Sequence, residues 1–417
     1  MQDYDAVVVG ASLAGCTTAI LLGRAGVRVG LVERSPKPDA FKRVCSHHIQ
    51  SSGVPTLERL GLRSEIEAAG AAVGHLRVHS EWGWISVPET TDAPPCLNIR
   101  REVLDPMIRR LAAETPNVDL LPGLRVTELI HDGGRVAGVV ASDRSAEPVR
   151  LRAPLVVGAD GRDSTVAALA KVPAKDTPHG RIAYGGYWKG PAIDGAPNPS
   201  VWFLDPQWVA AFPTDSGLTF YAAMPTRDQL PRYKADPQRT LVEEISRVPD
   251  APPIAESECV SPVIGKLDMT NHRRRAAQPG LALVGDAALA IDPLWGVGCG
   301  WALQSGEWLA DAVAPALRGE AALDPALERY RRRHARELGG YARLMEEYAS
   351  GRKLNAGERF VFQAAALDDR AAERFEAFGT RRMKPLRYFA TAIPEAIAVH
   401  ARARLGGRRA RPAEGVA

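Results

Sequence analysis

Apolar residues fall in runs of different kinds along this 417-residue chain, and the order of the runs is informative. Residues 4–9, with the unbroken apolar run Ala6-Val7-Val8-Val9, read as a short buried strand. Residues 13–25 then carry helical spacing, and 27–32 return to a strand ending at Glu33. Strand, helix and strand within about 30 residues make a β-α-β unit. Residues 54–69 place Thr56, Leu57, Leu60, Leu62 and Ile66 at helical intervals, and 76–88 alternate like a hairpin. Residues 101–113 read as a helix with Leu104, Met107, Ile108 and Leu111 apolar, and strands are expected at 119–130 and 134–142. Asp132-Gly133-Gly134 supplies the hairpin turn between them.

After another apolar strand at 151–158, aromatic and β-branched residues alternate from about 176 to 268, with Pro/Gly breaks at 190–199 and 213–217. That pattern predicts a mainly antiparallel sheet outside the β-α-β unit. Residues 281–286 resume the buried-strand pattern, a helix is expected over 299–317, and 325–400 are largely helical. The fold class is α/β: a Rossmann-like nucleotide-binding domain in pieces (1–75, 96–175 and 270–324), an inserted sheet domain (76–95 and 176–269), a helical C-terminus (325–400) and a disordered tail (401–417).

Composition narrows the class without naming a chemistry. The chain is 45% hydrophobic and 24% charged, with a net charge of only +4, so no nucleic-acid surface is indicated. Cys16, Cys45, Cys96, Cys259 and Cys299 form no C-x-x-C pair, which points to free thiols in a reducing compartment and no metal site. No apolar run approaches about 20 residues and no signal peptide opens the chain, so a cytoplasmic protein without a membrane span is expected.

Chemistry enters with three glycine-bearing segments: Gly10-Ala11-Ser12-Leu13-Ala14-Gly15, then Gly158-Ala159-Asp160-Gly161, then Gly285-Asp286 through Pro293 to Gly296, Gly298 and Gly300. In the first, Gly10 makes the bend, Ser12 allows close approach to a phosphate, and Gly15 lets helix and strand pack; Glu33 can accept from ribose hydroxyls. Asp286 at a strand end suits a polyol, and the later glycines bring backbone N–H groups and a helix dipole to the edge of a flat ring. The first segment suggests a dinucleotide, and the set suggests FAD.

With these segments the chain resembles the flavoprotein superfamily of aromatic-ring hydroxylases, geranylgeranyl reductases and flavin-dependent halogenases over about residues 3–320. The resemblance implies FAD contacts at Gly10, Ser12, Leu13, Ala14, Gly15, Glu33, Arg34, Arg43, Arg101, Val126, Asp160, Gly161, Asp286, Pro293, Gly296, Gly298 and Cys299. Two departures stand out: Ala167 where an arginine usually ends the second segment, and Leu289 where many hydroxylases carry histidine. The first leans toward reduced FAD arriving from a separate flavin reductase; NAD(P)H docking over the flavin is the other source.

Three chemistries remain to be separated. Trp82-Gly83-Trp84-Ile85-Ser86-Val87-Pro88 resembles the W-x-W-x-I-P signature of halogenases, but it precedes the second segment and is one residue too long. The lysine halogenases use is also missing, since none stands between Lys42 and Lys171. Val44-Cys45-Ser46 and Trp208–Pro213 only partly echo the reductase motifs. Monooxygenation, through a flavin C4a-(hydro)peroxide that hydroxylates or epoxidises an aromatic or polyketide-like small molecule, requires O2 and no signature side chain. An FAD dehydrogenase or reductase of C–C or C–N bonds is the alternative. Candidate catalytic residues are Cys45, His47 and His48. Candidate substrate contacts are Tyr187, Trp202, Trp208, Phe212 and Trp295, with Tyr184 and Tyr221 as further pocket aromatics.

Overall fold

The computed structural model describes residues 2–45, 47–143, 147–293 and 296–405. In chain order the elements that matter begin with β1 (Ala6–Val9), α1 (Leu13–Arg24) and β2 (Val29–Glu33). A hairpin of β3 (Arg77–Ser80) and β4 (Gly83–Ile85) precedes α2 (Arg101–Glu114), β5 (Val118–Pro122), β6 (Arg125–Asp132), β7 (Arg135–Ser142) and β8 (Leu155–Gly158). The inserted strands are β9 (Ala183–Lys189), β10 (Ser200–Phe203), β11 (Trp208–Pro213) and β12 (Leu218–Met224). The chain returns through β13 (Leu281–Leu283) to α3 (Val297–Leu317), α4 (Leu323–Ala349), α5 (Ala356–Leu367), α6 (Asp369–Gly379) and α7 (Pro385–Leu405).

The first sheet runs Ala277–Gln278, β13, β8, β1, β2, β5, parallel except at its first pair. All four residues of β1 and of β8 are buried, as unbroken apolar runs require when helices cover both faces. The chain leaves β1 toward β2 on one side and later brings β8 in on the other. The carboxyl ends of β1 and β8 therefore flank the switch point where open α/β sheets bind ligands. Residues 119–130 are not one strand: Gly123, at φ 80, ends β5 and starts β6. Gly61, at φ 81, likewise splits the expected helix over 54–69 into Val54–Leu60 and Arg63–Ala68.

The second sheet runs Glu258–Cys259, β9, β12, β11, β10, β3, β4, antiparallel except where β10 meets β3. Both of its faces are covered, and strand parity sorts the aromatics between them. Tyr184, Trp188, Trp202 and Tyr221 face the helix Pro237–Ile245 and form a core with Leu241 and Ile245. Trp208, Phe212 and Phe203 face the C-terminal helices and pack with Phe362 and Phe375. Trp202 is thus not a substrate contact: it is 2% exposed and its indole donates to Pro249 O at 2.8 Å. Tyr184 and Tyr221 are corrected for the same reason, since a strand shows only alternate residues to one side.

The helix α7 continues to Leu405, so residues 401–405 are helical and not part of a disordered tail. Among the described residues no helix is long and apolar enough to cross a membrane.

Candidate active site

The first two glycine segments abut at the switch point. A Cβ on Gly10 would lie 2.6 Å from Ala159 O, and one on Gly15 would lie 1.8 Å from Gly10 O. Only glycine fits either place. Leu13 and Ala14 are buried at the start of α1, where the free N–H groups of the helix face the loop. Glu33 sits beside them: Oε2 accepts from Ala11 N–H at 2.8 Å and Oε1 from Ser35 N–H at 2.9 Å.

Arg101 is the hub of the site although only 3% exposed. It donates to Ser12 Oγ at 2.7 Å and, through Nε, to Asp105 Oδ1 at 2.8 Å. The guanidinium also lies 3.8 Å from both Cys45 Sγ and Cys299 Sγ, which are 3.6 Å from each other. The contact with Cys299 and the charges of Arg101 and Lys42 hold the Cys45 thiol well below its ordinary pKa, while the same contact and burial push Cys299 up. Arg109, which the sequence did not single out, braces the same loops by donating to Ala11 O at 3.2 Å and Pro38 O at 2.7 Å.

At the other end, Asp286 Oδ2 pairs with Lys42 Nζ at 2.8 Å. Gly296, at φ 64, caps α3, and a Cβ there would strike the His48 ring at 2.5 Å; one on Gly300 would meet the Arg381 guanidinium at 2.6 Å. A Cβ on Gly298, between them, would meet nothing within 4 Å. The first turn of α3 therefore opens onto space at one residue only. Pro293 O accepts from Gly296 N–H at 2.7 Å and closes the preceding turn.

His47 and Tyr187, 140 residues apart, meet through Nε2 and the phenol oxygen. His47 Nδ1 accepts from Arg101 N–H at 2.8 Å, so the neutral ring carries its proton on Nε2 and donates to Tyr187. Burial lowers the His47 pKa and keeps it neutral. His48 is 1% exposed; Nδ1 donates to Asn98 Oδ1 at 2.8 Å, and its buried Nε2 has no partner among the described residues. Phe212 packs 5.6 Å from the His48 ring. Trp208 lies further along the same strand, under the C-terminal helices.

Other expected contacts sit less centrally. Arg34 and Arg43 are exposed, and Val126 is buried in β6. Asp160 accepts from Ser164 Oγ at 2.5 Å and Val166 N–H at 3.0 Å, fixing the short helix after β8, while Gly161 turns at φ 87. Trp295 lies outside the described residues.

Beyond Gly300, the C-terminal helices and Phe203 line an aromatic-walled cavity. Sequence reasoning missed it, because its lining comes from 325–400, which carries no motif. The open Cβ position at Gly298, the buried His48 Nε2 without a partner among the described residues, and the loop closed around Ser12 and Glu33 fit FAD.

Comparison with known proteins agrees. A family profile described as FAD binding domain matches residues 3–338. A tryptophan 2-halogenase of Chondromyces crocatus is 28% identical over 386 residues, 86% of this chain and 70% of that protein. A 6-methylpretetramide 4-monooxygenase of Streptomyces rimosus is 33% identical over 180 residues, covering 40% of this chain and 41% of the monooxygenase, less than half its length. Among solved structures, the flavin-dependent brominase Bmp2 superposes with a TM-score of 0.78 at 18% identity, over 97% of this chain and 100% of that one.

Proposed function

This chain belongs to the FAD binding domain family and is an FAD-dependent oxidoreductase, and from that premise we propose that it is a monooxygenase that hydroxylates or epoxidises an aromatic or polyketide-like small molecule. The observation that carries the reading is the aromatic-walled cavity that Arg381 links to the first turn of α3. Its apolar walls suit an aromatic substrate.

Bound and reduced, FAD supplies the electrons that activate O2. The residues of the chain do the rest. Ser12, Arg101 and the α1 N-terminus would hold the pyrophosphate, and Asp286 would accept from the polyol hydroxyls. The His47 ring donates to the Tyr187 oxygen, which leaves the Tyr187 hydroxyl hydrogen free to donate to a substrate oxygen. His48 Nε2, held as an acceptor by the Asn98 contact, stands ready for a donor at the ring edge.

Halogenation is the second reading, favoured by the match to a tryptophan 2-halogenase over 86% of this chain and 70% of that protein. Against it stands Lys42, whose ammonium is paired with Asp286. Among the described residues no lysine lines the cavity.

The test is turnover under 18O2 with NADH, NADPH or reductase-supplied reduced flavin, against a panel of one- to four-ring phenols, enones and aromatic carboxylates. A product carrying one 18O atom is expected. A brominated product that appears only with bromide, or a product formed equally well without O2, would contradict the reading.

A further inference from the structure

Two charged side chains line the aromatic cavity, Glu358 and Arg381, and they differ in one respect. Glu358 is fully engaged: Arg352 donates to both its oxygens at 2.7 Å, and Asn355 N–H donates at 2.8 Å. Arg381 donates to neutral acceptors, Gln50 Oε1 at 2.7 Å and Ser52 Oγ at 3.0 Å, and lies 5.3 Å from the centroid of the Trp301 ring. Among the described residues it pairs with no carboxylate, and burial weakens its hold on its proton. A guanidinium taken from water without a counter-ion is costly, and proteins keep one where a ligand supplies the missing charge.

The backbone makes the same point independently. Arg381 follows Thr380, the C-cap of α6, at φ 65. That position favours glycine because a Cβ is strained there. An arginine held there is kept for its side chain. Its guanidinium also reaches to 2.6 Å from where a Cβ on Gly300 would lie, so it spans the gap between the cavity and the first turn of α3. Tyr388, which also lines the cavity and is 2% exposed, has a hydroxyl with no partner among the described residues. Phe378 stacks on that ring at 4.2 Å and continues the flat aromatic wall.

We propose that Arg381 is the counter-ion for a carboxylate on the ligand that fills this cavity, so that the substrates are aromatic carboxylates rather than neutral phenols or hydrocarbons. This rests on the function proposed above only in taking the ligand of the cavity to be the substrate. The aromatic walls take the rings, the guanidinium takes the carboxylate as a bidentate pair, and the Tyr388 hydroxyl offers a second polar contact.

Calorimetric titration of the FAD-loaded protein with 2-naphthoate and 9-anthracenecarboxylate, each against its neutral carboxamide, reads the charge preference without turnover. Each acid is expected to bind at least about tenfold more tightly than its amide. Arg381→Gln should abolish that preference while leaving amide binding in place, and Arg381→Lys should retain part of it. Equal binding of acid and amide, a preference that survives Arg381→Gln, or no binding by either acid would overturn the proposal. Acid preference without 18O incorporation would instead leave Arg381 assigned and remove the monooxygenase reading.

Discussion

Arg101 shows how much one side chain can organise. It is buried, paired with Asp105 and Ser12, and it faces two sulfurs in contact with each other. The thiolate character falls on Cys45, which is part-exposed, whereas Cys16 and Cys96 are fully buried and their pKa values are pushed up, Cys96 to about 12. Iodoacetamide at pH 7 should therefore label Cys45 before any other cysteine, as peptide mass mapping would show. Equal labelling of Cys259, the other part-exposed thiol, would contradict the assignment. Cys45, Arg101 and Cys299 were each legible in the sequence as motif positions. Their convergence was not, because they lie 56 and 198 residues apart and only the fold closes those distances. Trp202 failed for a different reason. Both faces of its sheet are apolar, so alternation alone does not say which face meets the ligand.

Among the elements, α3 was the most legible and α4 the least. The glycines at 296, 298 and 300 marked the α3 N-terminus, and contacts now give each a separate reason. Gly298→Val should leave the stability of the FAD-free protein within about 0.5 kcal/mol, because its Cβ meets nothing. FAD stoichiometry, read at 450 nm, should fall sharply in that variant. Gly15→Val should lose both stability and flavin, since its Cβ would overlap Gly10 O. The helix α4 carried only an amphipathic pattern, yet it buries His334, whose pKa burial lowers from 6.5 to about 4. A lowered folded-state pKa contributes stability that is present above pH 6.5. That stability is lost progressively as pH falls toward 4, because only the unfolded chain takes up the proton. His334→Leu should flatten that part of the curve of Tm against pH, and an unchanged slope would refute the assignment.

At the scale of the whole molecule, the two sheets are joined by a buried ion cluster. Asp292, in the loop after β13, pairs with Arg181 and lies 3.3 Å from His179, at the entry to the inserted sheet; all three are 5% exposed or less. Burial alone would raise the Asp292 carboxyl, but His179 and Arg181 hold it below its ordinary value. Its contribution is therefore present above about pH 4 and lost as pH falls further. Asp292→Ala should cost about 3–5 kcal/mol at neutral pH by leaving Arg181 buried and unpaired, measurable by urea unfolding. The sequence announced the discontinuous α/β architecture through its buried-strand runs and glycine segments. It could not announce the cavity, whose walls are helix faces indistinguishable by pattern from any other amphipathic surface. The central claim is that three separated turns grip one FAD along its length. Titrating flavin-stripped protein with FAD tests this most directly: one equivalent should bind and turn the protein yellow, and both Gly15→Val and Gly298→Val should lose it. A wild-type protein that takes up no FAD, or variants that bind it as tightly as wild type, would contradict the account.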